Sequence, residues 1–200
     1  MFWDRVTYYL ALITLLTVPA TLIAWLFIHG LLSRWRRMGA TKASISVSVI
    51  TILTMGGMYL VHKPLLQIHF GFYWPLAVIA ILFLGISAYL NIRVYQATPK
   101  SMALGLAELS ADVSGKLITT GIYSRMRHPR FSAMTLAVAS MALITGYAVL
   151  YILIGIYIIG IYIVALLEDR ELLERFGPEY YDYAKCVPRF IPNAYKRRTK

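Results

Sequence analysis

Two hundred residues, 59% apolar and 14% charged, with a mean hydropathy of +0.64, exclude an ordinary soluble enzyme, whose charged fraction is about 25%. The net charge of +11, from 20 Lys and Arg against 9 Asp and Glu, raises nucleic acid as a partner until the positions of those charges are read. The single cysteine, Cys186, excludes an internal disulfide, and His29, His62, His69 and His128 contain no i,i+3 or i,i+4 pair for a helical metal site, so no metal is expected.

A bilayer core of about 30 Å takes roughly 20 helical residues. Five apolar runs free of Asp, Glu, Lys and Arg answer that requirement, at 6–32, 43–61, 72–92, 131–145 and 147–167. The first lacks a basic leader and a small-residue cleavage site and is longer than a signal core, so it reads as a retained helix. The second carries Gly56-Gly57, and the fourth carries Ala133 and Ala137, small residues that permit close helix contact. The fourth run reaches only about 22 Å at 1.5 Å per residue, which predicts either extension by neighbouring turns or a hairpin that does not fully cross. It meets the fifth at Gly146 in a tight turn, and Tyr151, Tyr157 and Tyr162 of the fifth are expected to be packing and interface anchors. Quiet helix centres disfavour a transporter. The expectation is an all-α polytopic membrane protein of about five helices, with helices 1–3 in residues 1–95 and a functional core in 96–200.

Basic residues cluster between the runs. Four (Arg34, Arg36, Arg37, Lys42) follow the first, six (Arg93, Lys100, Lys116, Arg125, Arg127, Arg130) follow the third, and eight lie beyond Leu167. A five-helix path places these on one face of the membrane, which by the positive-inside rule predicts an outside N-terminus and a cytoplasmic C-terminus. Topology then accounts for the charge: membrane lipids, and not nucleic acid, are the expected partners.

Chemistry is expected in the two long polar stretches. One holds turn-forming segments at 110–115 and 119–121. The other begins with a helix over 168–175, with Arg170/Glu174 and Glu171/Arg175 at i,i+4 spacing, stopped by Gly177-Pro178. Pro129 suits a first helical turn, which makes His128 the N-cap and leaves backbone donors suited to a carboxylate. Glu168 and Asp169, brought alongside by the hairpin, offer acceptors for hydroxyl or ammonium groups. A ligand carrying a carboxylate, an ammonium and a ribose matches both ends. A capping histidine, headgroup-anchoring arginines and a solvated helix end account for the same residues without a ligand.

Gly121-Ile-Tyr123 leading into Arg127-His128-Pro129, then Glu168-Asp-Arg-Glu-Leu172, Phe176-Gly177, Tyr180, Tyr183, Val187-Pro188-Arg189 and Pro192, resembles the isoprenylcysteine carboxyl methyltransferase and phospholipid methyltransferase group over about the last hundred residues. The resemblance implies an integral-membrane methyltransferase that uses S-adenosylmethionine, with S-adenosylhomocysteine as product, and no Rossmann domain. It implies cofactor contacts from Glu108, Lys116, Leu117, Ile118, Tyr123, His128, Pro129, Arg130, Phe131 and Glu168. The lipidic acceptor it implies is an isoprenylcysteine carboxylate or a phospholipid amine. Departures from the group's pattern are Phe131 for Tyr, Ala133 for Gly, Asp169 for Glu, Glu108 for the Gln of eukaryotic carboxyl methyltransferases, and Val164 for an arginine beside the acceptor. The last leaves Arg127, Arg170 and Arg189 as candidates to orient a carboxylate. A carboxylate is already ionised near pH 7 whereas an amine must lose a proton, and the helices hold no evident base, which favours the carboxylate. A lipid-binding relative without catalysis is the competing reading, supported by Val164.

Overall fold

Apolar runs in lipid must satisfy every backbone group internally, and helices are what this chain builds with them. The computed structural model describes residues 2–98 and 116–192; Glu108 and the turn expected at 110–115 lie outside these residues. In chain order the elements are α1 (Phe2–Gly30), α2 (Leu32–Met38), α3 (Ala40–Leu65), α4 (Trp74–Ala97), a short 3-10 helix (Gly121–Ser124), α5 (Pro129–Thr145), α6 (Ala148–Phe176) and α7 (Pro178–Cys186). Four of them, α1, α3, α4 and α6, are long and apolar enough to cross a bilayer, and α5 is a shorter apolar helix. The protein is an all-α multi-pass membrane protein.

Hydroxyls inside these helices take backbone acceptors of their own helix. Thr14, Thr17 and Thr21 each donate to the carbonyl four residues back at 2.7 Å, as do Ser140 and Thr145 on α5. The core forms where α1, α5 and α6 meet. Leu15, Leu22 and Trp25 of α1 pack with Phe131 and Ala142 of α5 and with Leu150, Tyr157, Ile161 and Val164 of α6. At Gly160 a Cβ would lie 2.7 Å from the Leu22 methyls, so the glycine lets α1 close on α6. α4 joins through a smaller cluster (Leu90, Val94, Ile122, Met126, Ala133) and a 2.7 Å hydrogen bond from Ser87 Oγ to the Ala133 carbonyl. The close contact expected of Gly56-Gly57 is not made within the described chain: nothing lies within 4 Å of a Cβ built at either glycine. Outward-facing Ile152, Ile156, Ile159 and Ile163 form an exposed apolar stripe along α6 suited to lipid.

At one end of the bundle the 66–73 loop grips the α5–α6 turn. Phe70 N–H donates to the Gly146 carbonyl, Ala148 N–H to the Ile68 carbonyl, and His69 Nε2 lies 2.9 Å from the Thr145 carbonyl while its ring stacks on Tyr147. Gly146 sits at φ +68°, and a Cβ there would be 2.6 Å from the Gly71 carbonyl oxygen. Gly146→Ala is therefore expected to cost about 1–3 kcal/mol, read as a lowered thermal midpoint in detergent; an unchanged midpoint would mean that the clasp does not matter. At the other end the last turn of α1, the end of α4, the start of α5 and the second half of α6 converge, so the described basic residues that follow the first, third and fifth runs gather there. The fourth run gains two residues, Pro129 and Arg130, and reaches about 25 Å. The predicted 168–175 helix is continuous with α6, which runs to Phe176, and Gly177 at φ +55° makes the break.

Candidate active site

The start of α5 is set by Pro129, whose missing N–H costs nothing at the first turn, with His128 at the N-cap position. A strap formed by 187–191 crosses this point. Arg127 N–H donates to the Pro188 carbonyl at 2.8 Å and His128 N–H to the Arg189 carbonyl at 2.9 Å, which ties the C-terminal segment to the helix start. The His128 imidazole does not cap its own helix; it reaches across to α6.

Asp169 is the hub of the polar cluster. One carboxylate oxygen accepts from His128 Nε2 at 2.8 Å and from the Tyr180 hydroxyl in a short bond, and the other accepts from Arg189 Nε at 2.6 Å with Arg127 Nη2 at 3.4 Å. Glu168 Oε2 lies 3.2 Å from His128 Nδ1, so both imidazole nitrogens face a carboxylate. Burial penalises the imidazolium, but Glu168 and Asp169 outweigh it and push the His128 pKa up to about 9. His128 is therefore charged at neutral pH and donates from both nitrogens. Burial, with Asp169 beside it, likewise raises the Tyr180 hydroxyl well above its ordinary range. Because the folded-state pKa of His128 exceeds its ordinary 6.5, its contribution to stability is complete below pH 6.5 and is lost as pH rises toward 9. Denaturation followed from pH 6 to 10 is expected to show that decline, and His128→Ala to flatten it.

A cavity of about 880 Å³ opens beside this cluster, within the roughly 300–1,000 Å³ usual for small-molecule sites. Its floor is the first turn of α5 (Pro129, Arg130, Phe131) with His128. One wall is Glu168 and Leu172 of α6, the facing wall is Asn91 and Tyr95 of α4, and Lys116, Leu117, Ile118 and Tyr123 close over it. Trp25 of α1 completes it, edge-on to Phe131 at 5.7 Å and under the Arg130 guanidinium at 5.2 Å. Tyr183 holds the covering segment by donating to the Tyr123 carbonyl at 2.6 Å.

Nine of the ten cofactor residues expected from the sequence line this one cavity: Lys116, Leu117, Ile118, Tyr123, His128, Pro129, Arg130, Phe131 and Glu168. Of the three arginines, Arg127 lines it. Arg189 lies on the far side of Asp169, in a second and more open cavity. Arg170 points away and pairs with Glu174 at the surface. Val164 is fully buried in the core shared by α1, α5 and α6, so an arginine there would have no room in this packing. Sequence reasoning did not find Trp25, Asn91, Tyr95 or the coupling of Glu171 to His29 at 3.1 Å. Tyr180 and Tyr183 were visible as motif residues, but nothing in their spacing assigns them to Asp169 and Tyr123.

The family model described as phospholipid methyltransferase matches residues 75–179, just over half of the chain. Over 84 residues the chain is 30% identical to the nickel-cobalt-cadmium resistance protein NccN of Alcaligenes xylosoxydans xylosoxydans, covering 42% of this chain and 39% of that protein. Over 90 residues it is 33% identical to methanethiol S-methyltransferase 2 of Bradyrhizobium diazoefficiens, covering 44% of this chain and 33% of that protein. The matches thus span well under half the length of either relative. No solved structure matches. The matched stretch begins at the first turn of α4 and ends at the first turn of α7, taking in nearly every group around the cavity, and the chain belongs to the phospholipid methyltransferase family.

Proposed function

We propose that this protein transfers a methyl group from S-adenosylmethionine to a membrane-embedded lipidic acceptor, of which the carboxylate of an isoprenylcysteine suits the site best. The observation that carries the reading is the cavity itself. It places a helix N-terminus, a carboxylate and an apolar and aromatic enclosure around one space at the end of a membrane bundle. That donor set matches the cofactor group by group. The first turn of α5, with protonated His128 beside it, suits the methionine carboxylate. Glu168, still partly open to the cavity, suits the ammonium or a ribose hydroxyl, while Leu117, Ile118 and Tyr123 offer packing for the adenosine. Bound there, the cofactor supplies an electrophilic methyl on sulfur.

The chain's own residues orient the acceptor and exclude water, since displacement at a sulfonium depends chiefly on alignment. Of the three candidate arginines, Arg127 lines the cavity and is the one within reach of a carboxylate acceptor; Arg189 stands behind Asp169, and Arg170 faces outward. The functional core in this reading is 96–200, with α1 and α4 completing its walls. In this reading the basic segments favour the cytoplasmic face for this end of the bundle and the outside for the N-terminus. The acceptor tail enters laterally from lipid and the cofactor from water, which spares each the wrong solvent. A phospholipid amine fits less well because Asp169 is taken up by His128, Tyr180 and Arg189 and Glu168 serves the cofactor in this reading, which leaves neither carboxylate as the base.

Calorimetric titration of the detergent-purified chain with S-adenosylmethionine and S-adenosylhomocysteine is expected to give saturable binding. Methyl transfer to a prenylcysteine is then expected to exceed transfer to a phosphatidylethanolamine. Binding without transfer to either leaves a lipid-binding relative, and absence of binding by folded protein overturns the reading.

A further inference from the structure

The second cavity is a groove of about 530 Å³ between the outer face of α6 and the strap, and Asp169 and Arg127 separate it from the larger one. Its floor is Tyr162, 46% exposed beside the lipid-facing isoleucine stripe, with Phe190 at 6.1 Å ring to ring. The Arg189 guanidinium sits 6.0 Å from the Tyr162 ring, and Lys185 stands at the rim. This combination of basic groups over a tyrosine at the end of an apolar helix face is that of a headgroup layer.

The charges do not balance. Among the described residues, Arg127, Arg189 and protonated His128 pair with Glu168 and Asp169 alone, and one Asp169 oxygen is shared between both guanidinium groups, at 2.6 and 3.4 Å. One positive charge remains in excess at the groove wall. We propose that this groove binds the phosphate of an anionic phospholipid, held by Arg189 with Lys185 above Tyr162 while the acyl chains lie along the isoleucine stripe of α6. The strap that carries Arg189 also accepts the Arg127 and His128 N–H groups, so an occupied groove steadies the wall of the larger cavity. The inference goes beyond methyl transfer and does not depend on it.

The test uses the full chain in phosphatidylcholine vesicles at low ionic strength, with spin-labelled phosphatidylglycerol or phosphatidylcholine as tracer. Phosphatidylglycerol is expected to associate more strongly, by about fivefold for each basic side chain engaged. Arg189→Gln should reduce that preference. Because Arg189 also holds Asp169, the double variant Lys185→Gln/Tyr162→Leu, which leaves the Asp169 contacts in place, should reduce it as well, with thermal stability reporting the fold. Equal association of the two tracers, or a preference unchanged in both variants, overturns the proposal. So does its abolition by millimolar inorganic phosphate, which would make the groove a site for the free anion.

Discussion

Replacing Glu168 with Gln is expected to weaken binding of S-adenosylhomocysteine by about 1.5–3 kcal/mol, or roughly ten- to a hundredfold, because it removes a charge-assisted acceptor from the cavity wall. The carboxylate lies on α6, 3.2 Å from His128 and with 28% of its side chain still exposed, so it can take a ligand hydrogen bond without giving up its partner. The substitution keeps the shape of the wall, and the His128 imidazolium retains Asp169 at 2.8 Å. The thermal midpoint should fall, because the imidazolium loses one of its two carboxylates, but by less than for Asp169→Asn, while the titration isotherm moves far. Unaltered affinity would remove Glu168 from the cofactor site and with it the orientation of the ligand proposed above.

With Asp169→Asn the balance should be reversed. Its carboxylate, 11% exposed, accepts from His128, Tyr180 and Arg189 and lies beside Arg127. Among the described residues, removing the charge leaves two arginines and an imidazolium with a single neighbouring carboxylate, Glu168, and forces an amide NH₂ against an arginine or the imidazolium, which can only donate. Breaking a buried ion network in this way costs about 3–5 kcal/mol. The expected result is a large fall in thermal midpoint, release of the 187–191 strap to proteolysis, and loss of cofactor affinity as a consequence. A stable Asp169→Asn protein with normal affinity would show that the cluster is incidental to the fold.

The pair of variants also separates what was legible in the residues from what was not. His128 and Glu168 stand out in the sequence because each sits where an apolar run meets a polar one, and the turn at Gly146 brings those junctions together. Asp169, one residue from Glu168, carries no mark that it would be the hub while its neighbour faces the cavity. That division follows from the rotation of α6, which turns successive residues about 100° apart. Arg127, Arg170 and Arg189 were equivalent as sequence candidates. The same rotation sends Arg170 to the surface, and the strap places Arg189 behind Asp169.

The number and extent of the apolar helices, the hairpin turn at Gly146 and the clustering of basic residues at one end were determined by the sequence alone. Hydropathy and glycine or proline placement report directly on where a chain meets lipid and where it turns. The contributions of Trp25, Asn91 and Tyr95 to the cavity, the burial of Val164 in the core and the open space beside Gly56-Gly57 were decided only by tertiary packing. In water an amphipathic pattern reveals which face of a helix turns inward. In a bilayer the inner and outer faces are equally apolar, so helix rotation follows from side-chain fit between distant segments, which no local pattern encodes.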